Sequence, residues 1–144
     1  MNDFGLSIWG NSNFVIENGK VCVNAASKPA IIDIVRDIRD DGYRGPLLLR
    51  FPHLIQKQIE QIHASFAKAK KEFAYKGSFN AVFPLKVNQY PGFVKNLVRL
   101  GKPYNYGLEA GSKAELLLTM AYNNEKAPIT VNGFKDKEMI NIGF

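Results

Sequence analysis

Lys86 stands in the apolar run Val82-Phe83-Pro84-Leu85-Lys86-Val87. An ammonium enclosed by such a stretch must lose its proton or find a counter-ion, because desolvating the charge is costly. A neutral, desolvated amine is a nucleophile suited to forming a Schiff base with a carbonyl compound. The alternative is an edge strand on which the lysine is solvated and merely discourages edge-to-edge pairing. Glu109 and Asn132 continue from Lys86 at a constant 23-residue interval (86, 109, 132). A carboxylate brought beside the amine would orient it and carry protons while an imine is made and exchanged. A structural salt bridge that satisfies two buried charges is the competing explanation of such a pair.

The elements that must hold these residues alternate. Strands are expected over 79–88, 104–109 and 128–132, and helices over 93–100, 113–122 and 137–142. Short strands alternating with helices specify a parallel sheet with right-handed crossovers. Side chains alternate across a strand. Asn80, Val82 and Lys86 then share a face, as do Gly107 with Glu109 and Thr130 with Asn132. The opposite rows, which include Phe83, Leu85, Leu108 and Val131, are apolar and would meet the helices. Polar residues at the C-terminal ends of consecutive parallel strands mark the active-site face of a (β/α)₈ barrel. A doubly wound sheet gathers them there too, but with a glycine-rich phosphate turn after its first strand. Here that turn reads Val87-Asn88-Gln89-Tyr90-Pro91, so the barrel is favoured.

Ser112 followed by Glu115 matches a capping box at the start of the 113–122 helix. The small residues Ala110 and Gly111 would also let backbone amides approach a ligand there. Asn132 either bonds a ligand or ties down its own loop. Upstream, Asn18-Gly19 between two apolar runs signals a hairpin over 12–24. A short amphipathic helix follows at 31–38, closing near Gly42, and Gly45-Pro46 opens a brief strand at 47–51. Pro52 starts a long helix striped by Ile55, Ile59, Ile62, Phe66 and Phe73. His53 and His63 stand alone on it, as packing or surface residues rather than metal ligands.

The 144 residues are 46% hydrophobic and 22% charged, an ordinary globular composition of about one domain in length. No apolar run approaches the ~20 residues of a membrane span, and residues 1–10 lack the pattern of a signal peptide. Cys22 is alone, which removes a disulfide framework and a thiolate metal cluster and points to a reducing, cytoplasmic setting. The formal charge of +6 is spread along the chain, with Lys68, Lys70 and Lys71 near a helix end where cations oppose the macrodipole. Without interleaved aromatics this is a poor nucleic-acid surface, and it suits an anionic cofactor equally well.

Three runs, Val82 to Gln89, Gly107 to Leu116 and Val131 to Asp136, taken in that order, closely resemble the biosynthetic arginine decarboxylases of bacteria. The Leu49-Arg50-Phe51-Pro52 stretch and the N-terminal hairpin are similar as well. The resemblance implies an alanine-racemase-like barrel enzyme of fold type III that decarboxylates L-arginine to agmatine for polyamine synthesis. It implies pyridoxal 5'-phosphate held covalently by Lys86, with Glu109 beside it and Asn132 among the cofactor-binding residues, and magnesium as a family requirement. It also implies a homo-oligomer whose subunits share active sites. On this basis residues 1–45 form an N-terminal extension with hairpin and short helix, and 46–144 the first part of the barrel. Roughly three of eight units are then present, against the ~250 residues of a full barrel. The chain is therefore expected to be the N-terminal piece of a longer enzyme, inactive alone. Related substrates (diaminopimelate, ornithine, a carboxylated polyamine) and a non-catalytic cofactor-binding module are the alternatives.

Overall fold

The computed structural model describes residues 3–143. Met1, Asn2 and Phe144, on which the readings of the chain's start and last helix partly fall, lie outside the described residues. Contacts divide the chain after Arg50 into two compact units.

The first unit opens on a one-turn helix absent from the expectations above, α1 (Leu6–Trp9). The hairpin follows as expected, β1 (Phe14–Glu17) paired antiparallel with β2 (Lys20–Val23). Asn18 and Gly19 take φ of 49° and 72°, the pair of positive angles that closes a two-residue hairpin with the right twist. Helix α2 (Ile31–Asp40) sets Ile31, Ile34, Val35 and Ile38 on its half-buried side, and Gly42 follows at φ 93°. Cys22 and Val23 are the buried residues of this unit's apolar centre, and the lone thiol is a small packed hydrophobe. Residues 47–51 form no strand. Their leucines suit an extended backbone, but no neighbouring strand offers them a ladder, and Leu48 is exposed.

The second unit begins with α3 (Pro52–Glu72), whose proline occupies the first turn, where its missing N–H costs nothing. Strands β3 (Val82–Pro84), β4 (Gly107–Ala110) and β5 (Ile129–Val131) form a parallel sheet in that order. Helices α4 (Pro91–Gly101), α5 (Lys113–Tyr122) and α6 (Lys137–Gly143) alternate with them. Leu85, Leu108, Val94, Leu97 and Ile59 form one buried cluster, and Ala110, Leu116 and Met139 a second. The apolar rows expected to meet the helices thus do so at Phe83, Leu85, Leu108 and Val131. The α3 stripe is buried only at its first half, since Phe66 and Phe73 are exposed and Phe66 stacks on Phe79 at 3.8 Å. A three-stranded parallel sheet with helices is consistent with the first units of a barrel but does not close one.

His63 packs its ring against Phe79 and Tyr104 at 5.1 and 4.7 Å, and its buried Nε2 has no partner among the described residues. Burial holds its pKa below the ordinary 6.5. A histidine depressed in the folded state stays neutral while the unfolded chain takes up a proton. Its contribution is therefore intact above about pH 6.5 and is lost as the pH falls through the lowered folded value. Unfolding midpoints measured across pH 7.5 to 5 are expected to fall less steeply for His63→Leu than for the unsubstituted protein.

Candidate active site

Three expected residues meet the C-terminal end of the sheet, but not in the arrangement expected. The strand residues in lateral register are Pro84, Glu109 and Thr130, so Lys86 and Asn132 each lie two positions beyond the residue opposite Glu109. The 23-residue interval is therefore not the lateral register of the sheet. Strand β3 ends at Pro84, and residues Leu85–Val87 turn into a 3₁₀ helix closed by the Asn88 N–H donating to Leu85 O at 3.1 Å. In that turn Leu85 takes the buried position, at 1% exposure, while Lys86 and Val87 face solvent. The expectation of a lysine buried within a strand is thus overturned. Only Leu85 of this turn enters the core. No ion pair joins Lys86 to Glu109 among the described residues.

Glu109 instead finds Asn132. The Asn132 amide donates from Nδ2 to Glu109 Oε1 at 3.1 Å, which confirms that both project from one face of the sheet. Asn132 also ties down its own loop, accepting at Oδ1 from the Gly133 N–H at 2.8 Å. Its backbone N–H bonds Ala110 O at 2.7 Å, extending the β4–β5 pairing past the strands. Gly133 has φ 74°, and a Cβ there would stand 2.3 Å from Gly111 O. The loops after β4 and β5 therefore approach more closely than any side chain at 133 would permit.

At the start of α5 the Glu115 N–H donates to Ser112 Oγ at 3.2 Å, one half of the expected capping box. The other half is missing, because the Glu115 carboxylate is engaged elsewhere: Oε2 accepts from the Gly111 N–H and Oε1 from Gln89 Nε2. The sequence marked Glu115 only as half of a capping box and gave Gln89 no role of its own, because the bond between them spans 26 residues. Removing the cap as Ser112→Ala should lower stability by about 1 kcal/mol, read as a shift of the denaturant midpoint. Lys113 pairs with Glu138 and, at 2.9 Å, with Asp136, and its hydrogen bonds to the Glu138 and then the Asp136 carboxylate raise its pKa. Gly111, Ser112, Lys113, Phe134 and Asp136 line a cavity of about 400 Å³ at this sheet end. No three His, Cys, Asp or Glu side chains among the described residues converge on a metal position, and no helix there is long and apolar enough to cross a membrane.

Known proteins match the chain along nearly its whole length. A biosynthetic arginine decarboxylase from Prochlorococcus marinus is 34% identical over 143 residues, 95% of this chain and 22% of the relative. That from Gloeobacter violaceus is 38% identical over 138 residues, 92% of this chain and 21% of the relative. The crystal structure of the biosynthetic arginine decarboxylase SpeA from Campylobacter jejuni superposes with a TM-score of 0.96 at 79% identity, covering 100% of this chain and 24% of that one. The chain is homologous to biosynthetic arginine decarboxylases over about a quarter of their length. No family model matches it. Kinship with these decarboxylases rests on sequence and backbone, and not on a buried amine, since Lys86 is exposed.

Proposed function

We propose that this chain contributes the cofactor lysine and neighbouring site residues to an enzyme that decarboxylates L-arginine to agmatine. The observation that carries the reading is the 0.96 TM-score match, over all of the chain, to an arginine decarboxylase. The residues fit pyridoxal 5'-phosphate, an anionic aldehyde. Lys86 presents an exposed primary amine, with no hydrogen-bonding partner among the described residues, just beyond the C-terminal end of a parallel strand, and a bonded Glu109–Asn132 pair stands at the ends of the next two. Lys86 would hold the cofactor covalently, with Glu109 and Asn132 as its polar contacts. When bound, pyridoxal phosphate supplies the electron sink for breaking the bond between Cα and the carboxylate.

The chain's own groups have simpler tasks. Lys86 supplies the primary amine that is engaged and released, on a side chain with a flexible four-carbon stem. Glu109 keeps a carboxylate, oriented by Asn132 Nδ2, facing the sheet end where that exchange occurs. The close approach of Gly133 to the Gly111 carbonyl holds the loops after β4 and β5 together beside that pair. Magnesium belongs to the reading as a family requirement only, since no three His, Cys, Asp or Glu side chains among the described residues converge on one point. A (β/α)₈ barrel, an oligomer with shared sites and a cytoplasmic setting belong to the same reading.

The test is product analysis with the complete protein that carries this sequence, offered L-arginine, L-ornithine and meso-diaminopimelate separately with pyridoxal phosphate. Agmatine as the dominant product supports the reading. Putrescine or lysine as the dominant product would reassign the substrate, and no amine product from any of the three would overturn it.

A further inference from the structure

Glu115 is a carboxylate only 8% exposed, and a helix cap does not require it to be buried or doubly bonded. One oxygen, Oε2, accepts from the Gly111 N–H at 2.7 Å, two residues beyond Glu109. The other, Oε1, accepts from Gln89 Nε2 at 2.9 Å, three residues beyond Lys86 and 26 positions away in sequence. A single side chain thus joins the loop after β3 to the turn after β4. No hydrogen bond or ion pair holds the Lys86 amine among the described residues, so its aim is set by its backbone. That backbone is fixed at two points: Leu85 is sunk in the core on one side, and Gln89 is held by Glu115 on the other. Asn88 ties the span together, donating its N–H to Leu85 O at 3.1 Å and accepting at Oδ1 from the Tyr90 N–H at 3.0 Å just past Gln89.

We propose that Glu115 is a positioning residue that, through Gln89 and Gly111, fixes the Lys86 turn relative to the Glu109 strand end. This deepens the reading above and rests on it for the role of Lys86. Hydrogen bonds to a carboxylate are short and strong, and a carboxylate with both oxygens occupied orients both partners at once. The arrangement should be reversible in chemistry. A glutamine at 115 can still accept from Gly111 through Oε1 and donate through Nε2 to a glutamate at 89.

The test compares Gln89→Glu, Glu115→Gln and the double exchange in the complete protein, each checked for folding by circular dichroism. Two readouts are taken: amide hydrogen exchange over residues 86–90, and the rate at which pyridoxal phosphate is trapped on Lys86 by borohydride. Gln89→Glu sets two carboxylates against each other, and should speed exchange over 86–90 and slow trapping by about tenfold to a hundredfold. The double exchange should restore both to within about twofold of the original, which a merely structural loss at either site would not do. Original exchange rates in Gln89→Glu, or a double exchange no better than the single variants, would overturn the proposal. Hydrogen exchange decides this even if the unsubstituted protein traps no cofactor, a result that would count against the Lys86 reading and not against the latch.

Discussion

Lys86→Ala is expected to lower agmatine formation by the complete enzyme more than about 10³-fold, a loss on the scale seen when a covalent catalyst's reactive side chain is removed. Lys86 is exposed and makes no side-chain hydrogen bond among the described residues, so its removal leaves no buried group unsatisfied and no cavity in the core. The folded state should therefore survive, and the loss should lie in kcat with unfolding midpoints unchanged. Lys86→Arg sharpens the expectation. Arginine keeps the positive charge but is never deprotonated in proteins, so it cannot condense with an aldehyde. Both variants should fail equally if the amine acts as a nucleophile. Substantial activity in Lys86→Arg would mean that charge alone is what position 86 supplies.

Gly107→Ala should be the most damaging small substitution in the second unit. Gly107 starts β4, the central strand, and a Cβ there would stand 1.9 Å from the carbonyl oxygen of Pro128 and 2.9 Å from its carbon. These atoms are backbone and cannot swing aside. Relief requires β5 to move away from β4, which carries Thr130 and the Asn132 loop away from Glu109. Overpacking costs about 1–3 kcal/mol, and against immovable backbone the upper end applies, which in a unit of this size should lower the melting temperature by about 10 °C. Gly19→Ala is the contrast: nothing lies within 4 Å of that Cβ, so only the positive φ resists it. A Gly107→Ala protein melting within 2 °C or so of the original would mean the β4–β5 pairing is looser than described.

Much of this architecture was legible because local signals agreed with one another. Asn18-Gly19 supplied both positive-φ residues for the hairpin, and Ser112 with the apolar 113–122 pattern marked α5 to the residue. The parallel sheet followed from the alternation of elements, and the face shared by Glu109 and Asn132 followed from period-two alternation. What failed depended on distant partners. Leu47 to Phe51 has the composition of a strand but no strand beside it. The Val82–Val87 run is apolar throughout, and nothing local shows that pairing stops at Pro84 or that the turn sends Leu85 inward and Lys86 outward. The Glu115–Gln89 bond spans 26 residues and leaves no periodic trace. The sequence thus placed the candidate residues at one sheet end but did not reveal their geometry. Lys86, Glu109 and Asn132 were named together, yet the bonded pair is Glu109 with Asn132 rather than Lys86 with Glu109.

If the proposed function holds, the amine at position 86 is the group that takes up the cofactor's aldehyde. Reducing the complete protein with borohydride in the presence of pyridoxal phosphate, and mapping the modified peptides by mass spectrometry, tests it without reference to turnover. A phosphopyridoxyl adduct is predicted on Lys86, saturating at one per chain and absent from Lys95, Lys102 and Lys113. An adduct concentrated on any other lysine, or spread evenly among the exposed ones, would contradict it.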